Sequence, residues 1–406
     1  MTVAALWKSA YRPGSMLQPD PNERFRSRRH QARRRRAAQR ITAVAIVGIA
    51  AAVAALGATS LSGGDGGGSE SAKPKAPVKA APKKPTPRAL PDEIRGVHVT
   101  MALMTLDGKF EEYLSMADDG LNTFQLDVKD ENGEVAFTSP YAPLARKVGA
   151  AQSYYRPKAV AKRIHDEGLY LVGRVVVFED PFLTSKRPDL AIQRRGGGVW
   201  TNNGGLGWSN QYDKRVWDYN VDIAESAARA GFDEIMFDYV RFPSDGPIEE
   251  ATWPGRVNER KGVTIARFLE YARERLSPLG VRVSAAVFGL AATRDLGIGQ
   301  RPHLLGPHLD AVYPMVYPSH YGPGEYGISD PNGNPGATVT MSLRHFRRAL
   351  LGLDTRIVPW LQDFTLGQTY TLAEVRAQIE ASRRVRTGGF LLWNAAGVYT
   401  DGALSP

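Results

Sequence analysis

From Gly96 onward the chain reads as a (β/α)8 barrel, eight parallel strands ringed by helices. Three observations predict it. Eight short apolar, β-branched runs recur between residues 96 and 394, and near-continuous apolar strands belong to parallel sheets covered by helices. Helical stretches separate these runs, and several close on glycine, as a helix end does. The first run leads into MTLDGKFEEY (104–113), with one glycine. A doubly wound open sheet, the alternative, would usually place a glycine-rich phosphate loop there.

The N-terminal quarter is different material. The 406 residues carry 52 Lys/Arg and 42 Asp/Glu, but residues 1–40 alone hold 11 basic and 2 acidic groups. From Gly96 on the balance is 34 basic to 36 acidic, so the basic isoelectric point belongs to the tail. A nucleic-acid-binding domain would carry its basic face on the fold itself, and none is expected here. Residues 41–61, ITAVAIVGIAAAVAALGATSL, hold no charge. At ~1.5 Å per residue they span roughly 30 Å, the hydrocarbon thickness of a bilayer. The run is longer than a signal peptide's apolar core, and the basic region ahead of it is too long, which favours a retained signal anchor over a cleaved one. Residues 21–40 hold 9 Lys/Arg and residues 62–81 hold 3, so positive-inside topology puts residues 1–40 in the cytoplasm and the barrel outside. Residues 62–92, rich in Gly, Pro, Lys and Ala, have no apolar period and read as a stalk. The barrel is expected over 93–406. With no cysteine in the chain, disulfide scaffolds, Cys-ligated metals and thiol catalysis are excluded.

The strands follow in order: 96–103, 123–128, 169–178, 233–240, 281–289, 310–317, 356–364 and 388–394. Helices are expected over 157–168, 213–231, 264–280 and 371–389, among others. A barrel builds its active face from the C-terminal ends of its strands. The second strand ends on Asp127, Lys129 and Asp130, the third on Glu179 and Asp180, and the fourth on Asp238, Tyr239, Arg241 and Asp245. The sixth carries Tyr313, Tyr317 and His320, the seventh Trp360, Gln362 and Asp363, and the eighth Trp393 and Asn394.

Carboxylates with aromatic rings suit glycan chemistry. Glycoside hydrolysis uses two carboxyl groups flanking the bond and negative charge beside an oxocarbenium-like transition state. A lone acid at a strand end is more often a helix cap or a loop contact, and Asp180 and Asp245 read that way. Asp238 lies inside an apolar strand between Phe237 and Tyr239, where an unpaired charge costs several kcal/mol; Arg241 is its expected partner. Asp238 is the expected nucleophile or stabilising carboxylate and Glu179 the first choice for general acid, with Asp127, Asp130 and Asp363 in reserve. Tyr239, Arg241, Trp208, Asn210, Tyr313, Tyr317, Trp360, Gln362, Trp393 and Asn394 are the expected sugar contacts. Trp200, Trp208 and Trp217 lie within eighteen residues; they read equally as a cleft wall or as a plug under a loop. The seven histidines show no HExxH spacing and the chain no GxSxG elbow, so neither a metal site nor an α/β-hydrolase is expected. No cofactor is expected.

Several segments resemble one family: RGVHVT (95–100), NTFQLDVKDENGEVAF (122–137), the run from Trp208 to Gly246 containing FDEIMFDYVRFP, AVYPMVYPSHY (311–321) and GGFLLWNA (388–395). The chain resembles, over residues 95–400, the putative glycoside hydrolase domain first catalogued as a domain of unknown function, within the glycosyl-hydrolase-like TIM barrels. The resemblance implies a (β/α)8 barrel and a carbohydrate substrate. It maps motif positions onto Asp127, Lys129 and Asp130 and onto Asp238, Tyr239 and Arg241. Together these readings give a membrane-anchored extracytoplasmic barrel that hydrolyses or binds a polysaccharide, with a cell-envelope glycan the expected one. The alternative is a non-catalytic carbohydrate-binding or wall-organising protein on a degenerate barrel.

Overall fold

The computed structural model describes residues 85–405. The described residues belong to one compact unit. The expected basic tail (1–40), apolar span (41–61) and most of the stalk (62–92) lie outside the described residues. Among the described residues no helix is long and apolar enough to cross a membrane.

Eight strands form the barrel: β1 (Ile94–Val99), β2 (Thr123–Lys129), β3 (Tyr170–Val176), β4 (Glu234–Asp238), β5 (Arg282–Phe288), β6 (Ala311–Met315), β7 (Arg356–Ile357 and Trp360–Gln362) and β8 (Gly389–Trp393). Each pairs in parallel with the next, and β8 closes onto β1 through Ile94↔Gly389 and Gly96↔Leu391. The seventh strand is broken at Pro359, which has no N–H to give a neighbour; its second piece still reaches β6 through Trp360↔Met315. At β1, a Cβ added to Gly96 would lie 1.9 Å from Leu391 Cδ2. Glycine there lets Leu391 fill the barrel interior.

Helices α1 (Lys109–Ser115), α2 (Pro143–Val148), α3 (Pro157–Asp166), α4 (Pro181–Lys186), α5 (Lys214–Ala228), α6 (Lys261–Leu276), α7 (Pro302–Leu305), α8 (Pro335–Ala349) and α9 (Leu372–Val385) surround the strands. Asp180 caps α4 by accepting from Leu183 N (2.7 Å), the role its sequence context suggested. Thr371 and Glu374 form a capping box on α9. GPGEYG (322–327) has the glycine spacing of a phosphate loop, yet it lies between β6 and α8 and forms a short turn, Glu325–Gly327.

Because a strand's side chains alternate faces, each apolar run serves two cores. The outward residues pack under the helices. The inward residues, among them Tyr170, Val172, Met236, Ala286 and Leu391, make a second core inside the barrel. Its floor, at the N-terminal ends of the strands, is a hydroxyl-lined carboxyl group. Glu234 accepts from Tyr170 (3.1 Å), Tyr313 (2.8 Å) and Ser284. Tyr313, expected at the rim, therefore sits at the floor. Four residues of strand, about 13 Å of rise, separate it from Tyr317.

Residues 85–92, the end of the stretch read as a stalk, run along this floor without regular structure. Leu90 packs against the inner core, Arg282 donates to the Arg88 carbonyl (2.6 Å) and Arg356 to that of Asp92 (3.3 Å). The folded unit thus takes in these residues.

Candidate active site

At the opposite end, inward positions of β2, β3 and β4 bring three charges together. Arg174 donates through Nη1 to Asp127 Oδ1 (2.9 Å) and through Nε to Asp238 Oδ2 (2.8 Å); its Nη2 lies 2.7 Å from the same Asp238 oxygen. Glu131, in the loop after β2, lies 3.6 Å from Nη1. Arg174, Asp127 and Asp238 are all nearly enclosed, while the Glu131 side chain keeps 16% of its surface exposed. Burial disfavours the charge on Arg174, but the adjacent Asp238, Asp127 and Glu131 outweigh it and hold its pKa well above the usual value. Asp238 Oδ1 also accepts from Tyr239 N (2.7 Å).

His98 on β1 closes one side. Its Nδ1 lies 2.9 Å from Gln125 Oε1 and its Nε2 3.6 Å from Asp127. Burial lowers its pKa, against the pull of Asp127, so the ring is neutral at pH 7. Trp360 packs at 6.0 Å from His98 and 5.9 Å from the Arg174 guanidinium. Trp393 stacks on His98 at 6.5 Å and meets Tyr317 and Phe364 at 5.7 and 5.5 Å. His320 adds a ring against Tyr317. Two donors in this wall, the Tyr317 hydroxyl and Trp360 Nε1, are buried with no acceptor among the described residues. Burial raises the Tyr317 pKa and the nearby Asp238 raises it further, so the hydroxyl keeps its proton. Buried donors almost always find acceptors, and two orphans beside two carboxylates mark a place where a ligand or water completes the set.

Tyr239, next to Asp238, has φ 49°, a left-handed conformation that is costly for a bulky residue. The bend lies at the end of β4, and the Tyr239 ring sits 6.2 Å from Trp208. Arg241 is not the partner of Asp238. The left-handed Tyr239 ends the strand between them, and the Arg241 guanidinium lies instead among the rings of Phe288 (4.7 Å), Trp208 (4.9 Å) and Tyr239 (5.0 Å).

Other expected site residues lie off the cluster. Glu179 is buried and accepts from Asn202 Nδ2 (3.2 Å). Asp130 organises its own loop, accepting from the backbone of Asn132 and Glu134 (both 3.0 Å). Burial first, and Glu131 next, push its carboxyl up to about 7. Asp363 holds Thr400 through its backbone N–H (2.9 Å) and hydroxyl (2.6 Å), and Asn394 donates to the Asp363 carbonyl. Gln362 accepts from Ser319 (2.8 Å) and donates to Phe364 O. Asn210 bonds Pro254 O (2.7 Å). Trp200 and Trp208 are fully buried, and the Trp200 and Trp217 indoles donate to Pro247 O and Gln211 O: the three form a plug under the loop. Lys129 is enclosed behind the sheet against Asp180 (2.7 Å).

The sequence reading missed Arg174, His98 and Glu131. For Arg174 the signal was present. An arginine inside the apolar run LYLVGRVVVF needs a buried partner as much as Asp238 does.

Several comparisons meet at this geometry. A protein-family model described as a putative glycosyl hydrolase domain matches residues 96–399. A hypothetical protein from Ruminiclostridium thermocellum ATCC 27405 is 36% identical, covering 47% of this chain and 96% of its own, with TM-score 0.42. The glycoside hydrolase domain of PgaB (BpsB) from Bordetella bronchiseptica is 14% identical, covering 75% of this chain and 95% of its own, with TM-score 0.55. The chitobiase of Flavobacterium johnsoniae is 12% identical, covering 77% of this chain and 47% of its own, with TM-score 0.51. The last two share the barrel fold with this chain. No curated protein sequence matches. With three quarters of its length inside the family model, the chain belongs to the putative glycosyl hydrolase domain family.

Proposed function

We propose that the barrel hydrolyses a polysaccharide outside the cytoplasm, with Asp238 as the principal charged carboxylate. The observation that carries this reading is the set at the C-terminal end of the barrel: Asp127 and Asp238 on one guanidinium (2.9 and 2.8 Å), beside the unsatisfied donors of Tyr317 and Trp360. Paired glycosidase carboxylates lie about 5–10 Å apart, a span that a shared guanidinium bridges. Asp238 would stabilise the positive charge of the transition state, and Tyr317 and Trp360 would donate to sugar oxygens. For the general acid, Glu131 replaces Glu179 as first choice. It is the most exposed carboxyl group on the cluster, with 16% of its side chain exposed, and a general acid must reach the glycosidic oxygen it protonates.

One observation favours a second reading, a glycan-binding barrel without turnover: Arg174 holds both aspartates, Asp127 1% and Asp238 2% exposed. Envelope and storage polysaccharides incubated with residues 84–406 separate the two. Hydrolysis predicts new reducing ends from at least one glycan, lost in Glu131→Gln. Binding with no reducing ends from any glycan would sink the hydrolase reading.

A further inference from the structure

A crease between α8 and α9 encloses about 300 Å³ and is lined by Thr340, Arg344, Arg347, Arg384 and Val385. Three guanidinium groups meet there with little to neutralise them. Arg347 donates to the Val385 carbonyl (2.6 Å) and so closes the end of α9. Arg384 reaches Glu380 only at 3.6 Å, with both side chains more than half exposed, a contact worth little in water. Arg344 is exposed and has no carboxylate partner among the described residues; Arg348 and Arg386, at the ends of the same helices, are exposed too. Cations in a last turn complement the helix dipole, but that attraction does not require three of them to share one concavity.

The crease has a definite place. α8 and α9 lead into the N-terminal ends of β7 and β8, so their last turns lie at the floor end, away from the cleft. The chain enters at this end through residues 85–92, held by Arg282 and Arg356. Residues 71–91 hold six Lys/Arg and no acid, whereas the fold from Gly96 on is slightly acidic. The crease is therefore a basic site on a slightly acidic fold, and the sequence ahead of the fold is basic as well.

We propose that this floor-end zone docks on an anionic phospholipid surface, with Arg344, Arg347 and Arg384 taking headgroup phosphates and the cleft facing away. A lipid surface is favoured over a soluble polyanion by what precedes the fold. Only residues 62–84 lie between the uncharged, bilayer-length run 41–61 and Pro85, a stretch of at most about 75 Å when extended. The proposal does not depend on the glycan reading.

The test uses residues 84–406, which hold the closed barrel and its own cores. Phosphatidylcholine vesicles with and without phosphatidylglycerol are sedimented with the protein in about 0.1 M salt, where surface charge is only partly screened. Binding is expected to the phosphatidylglycerol vesicles alone. Arg344→Gln/Arg384→Gln leaves the Arg347–Val385 bond in place and is expected to weaken partitioning by roughly tenfold or more, each basic group contributing measurably near such a surface. Equal binding to both vesicle types, undiminished binding of the folded double variant, or retention by soluble polyphosphate without vesicle binding would overturn the proposal.

Discussion

The two ends of the barrel interior bury the same kinds of residue and treat them differently. At the floor, Glu234 is surrounded by donors: Tyr170, Tyr313 and Ser284 all give to it. It has no ion-pair partner among the described residues, and burial raises its pKa. At the top, Asp127 and Asp238 share Arg174, while the Tyr317 hydroxyl and the Trp360 indole have no acceptor among the described residues. A tyrosine at the floor finishes a network, and a tyrosine two pleats higher starts one that the protein leaves open. The difference separates structural polarity from functional polarity without reference to any relative: buried charge is common to both ends, and unmet hydrogen-bonding capacity distinguishes the top.

The largest expected effect that would break this contrast is on stability. Arg174→Met leaves two buried carboxylates without their cation and should cost about 3–5 kcal/mol, read as a lower urea midpoint. An unchanged midpoint would mean that Asp127 and Asp238 are hydrated and that the top is an open, ordinary surface. Next comes the floor. Tyr313→Phe removes one of three donors from Glu234 and should cost about 1 kcal/mol, with glycan turnover unaffected. The smallest stability effect is expected at Tyr317. Removing a hydroxyl that bonds nothing should change stability by less than about 0.5 kcal/mol, while affinity for the glycan falls. If Tyr317→Phe destabilises as much as Tyr313→Phe, the upper hydroxyl is satisfied from within and the contrast fails.

Much of this was legible in the sequence. The eight strands announce themselves because both faces of each are buried, so every run is apolar. Asp127 and Asp238 stand out as charges inside such runs. The partner of Asp238 was misread because a neighbour in sequence was weighed before a neighbour across the sheet: Arg241 is three residues away on the same strand end and faces elsewhere, whereas Arg174 is on the adjacent strand, level with Met236, and its long side chain reaches the next inward position. Tyr313 was placed at the rim because a sequence does not state how deep a strand position sits. Asn210, Gln362 and Asn394 were read as sugar contacts and Asp363 as a reserve carboxylate, yet each bonds loop backbone, the commoner fate of a polar group after a strand. Residues 85–92 looked like linker because their composition is that of a linker. What docks them is two arginines, Arg282 and Arg356, far along the chain.

The most direct test of the central claim compares one carboxyl group from each end. Asp238→Asn removes charge from the top and leaves Arg174 its bond to Asp127; Glu234→Gln removes charge from the floor. On the glycan found by screening, the account predicts that Asp238→Asn stays folded and still binds, with kcat lower by on the order of 10³-fold. Glu234→Gln should keep turnover within about threefold of the parent even where it melts earlier. A folded Asp238→Asn variant with parental turnover would contradict the account.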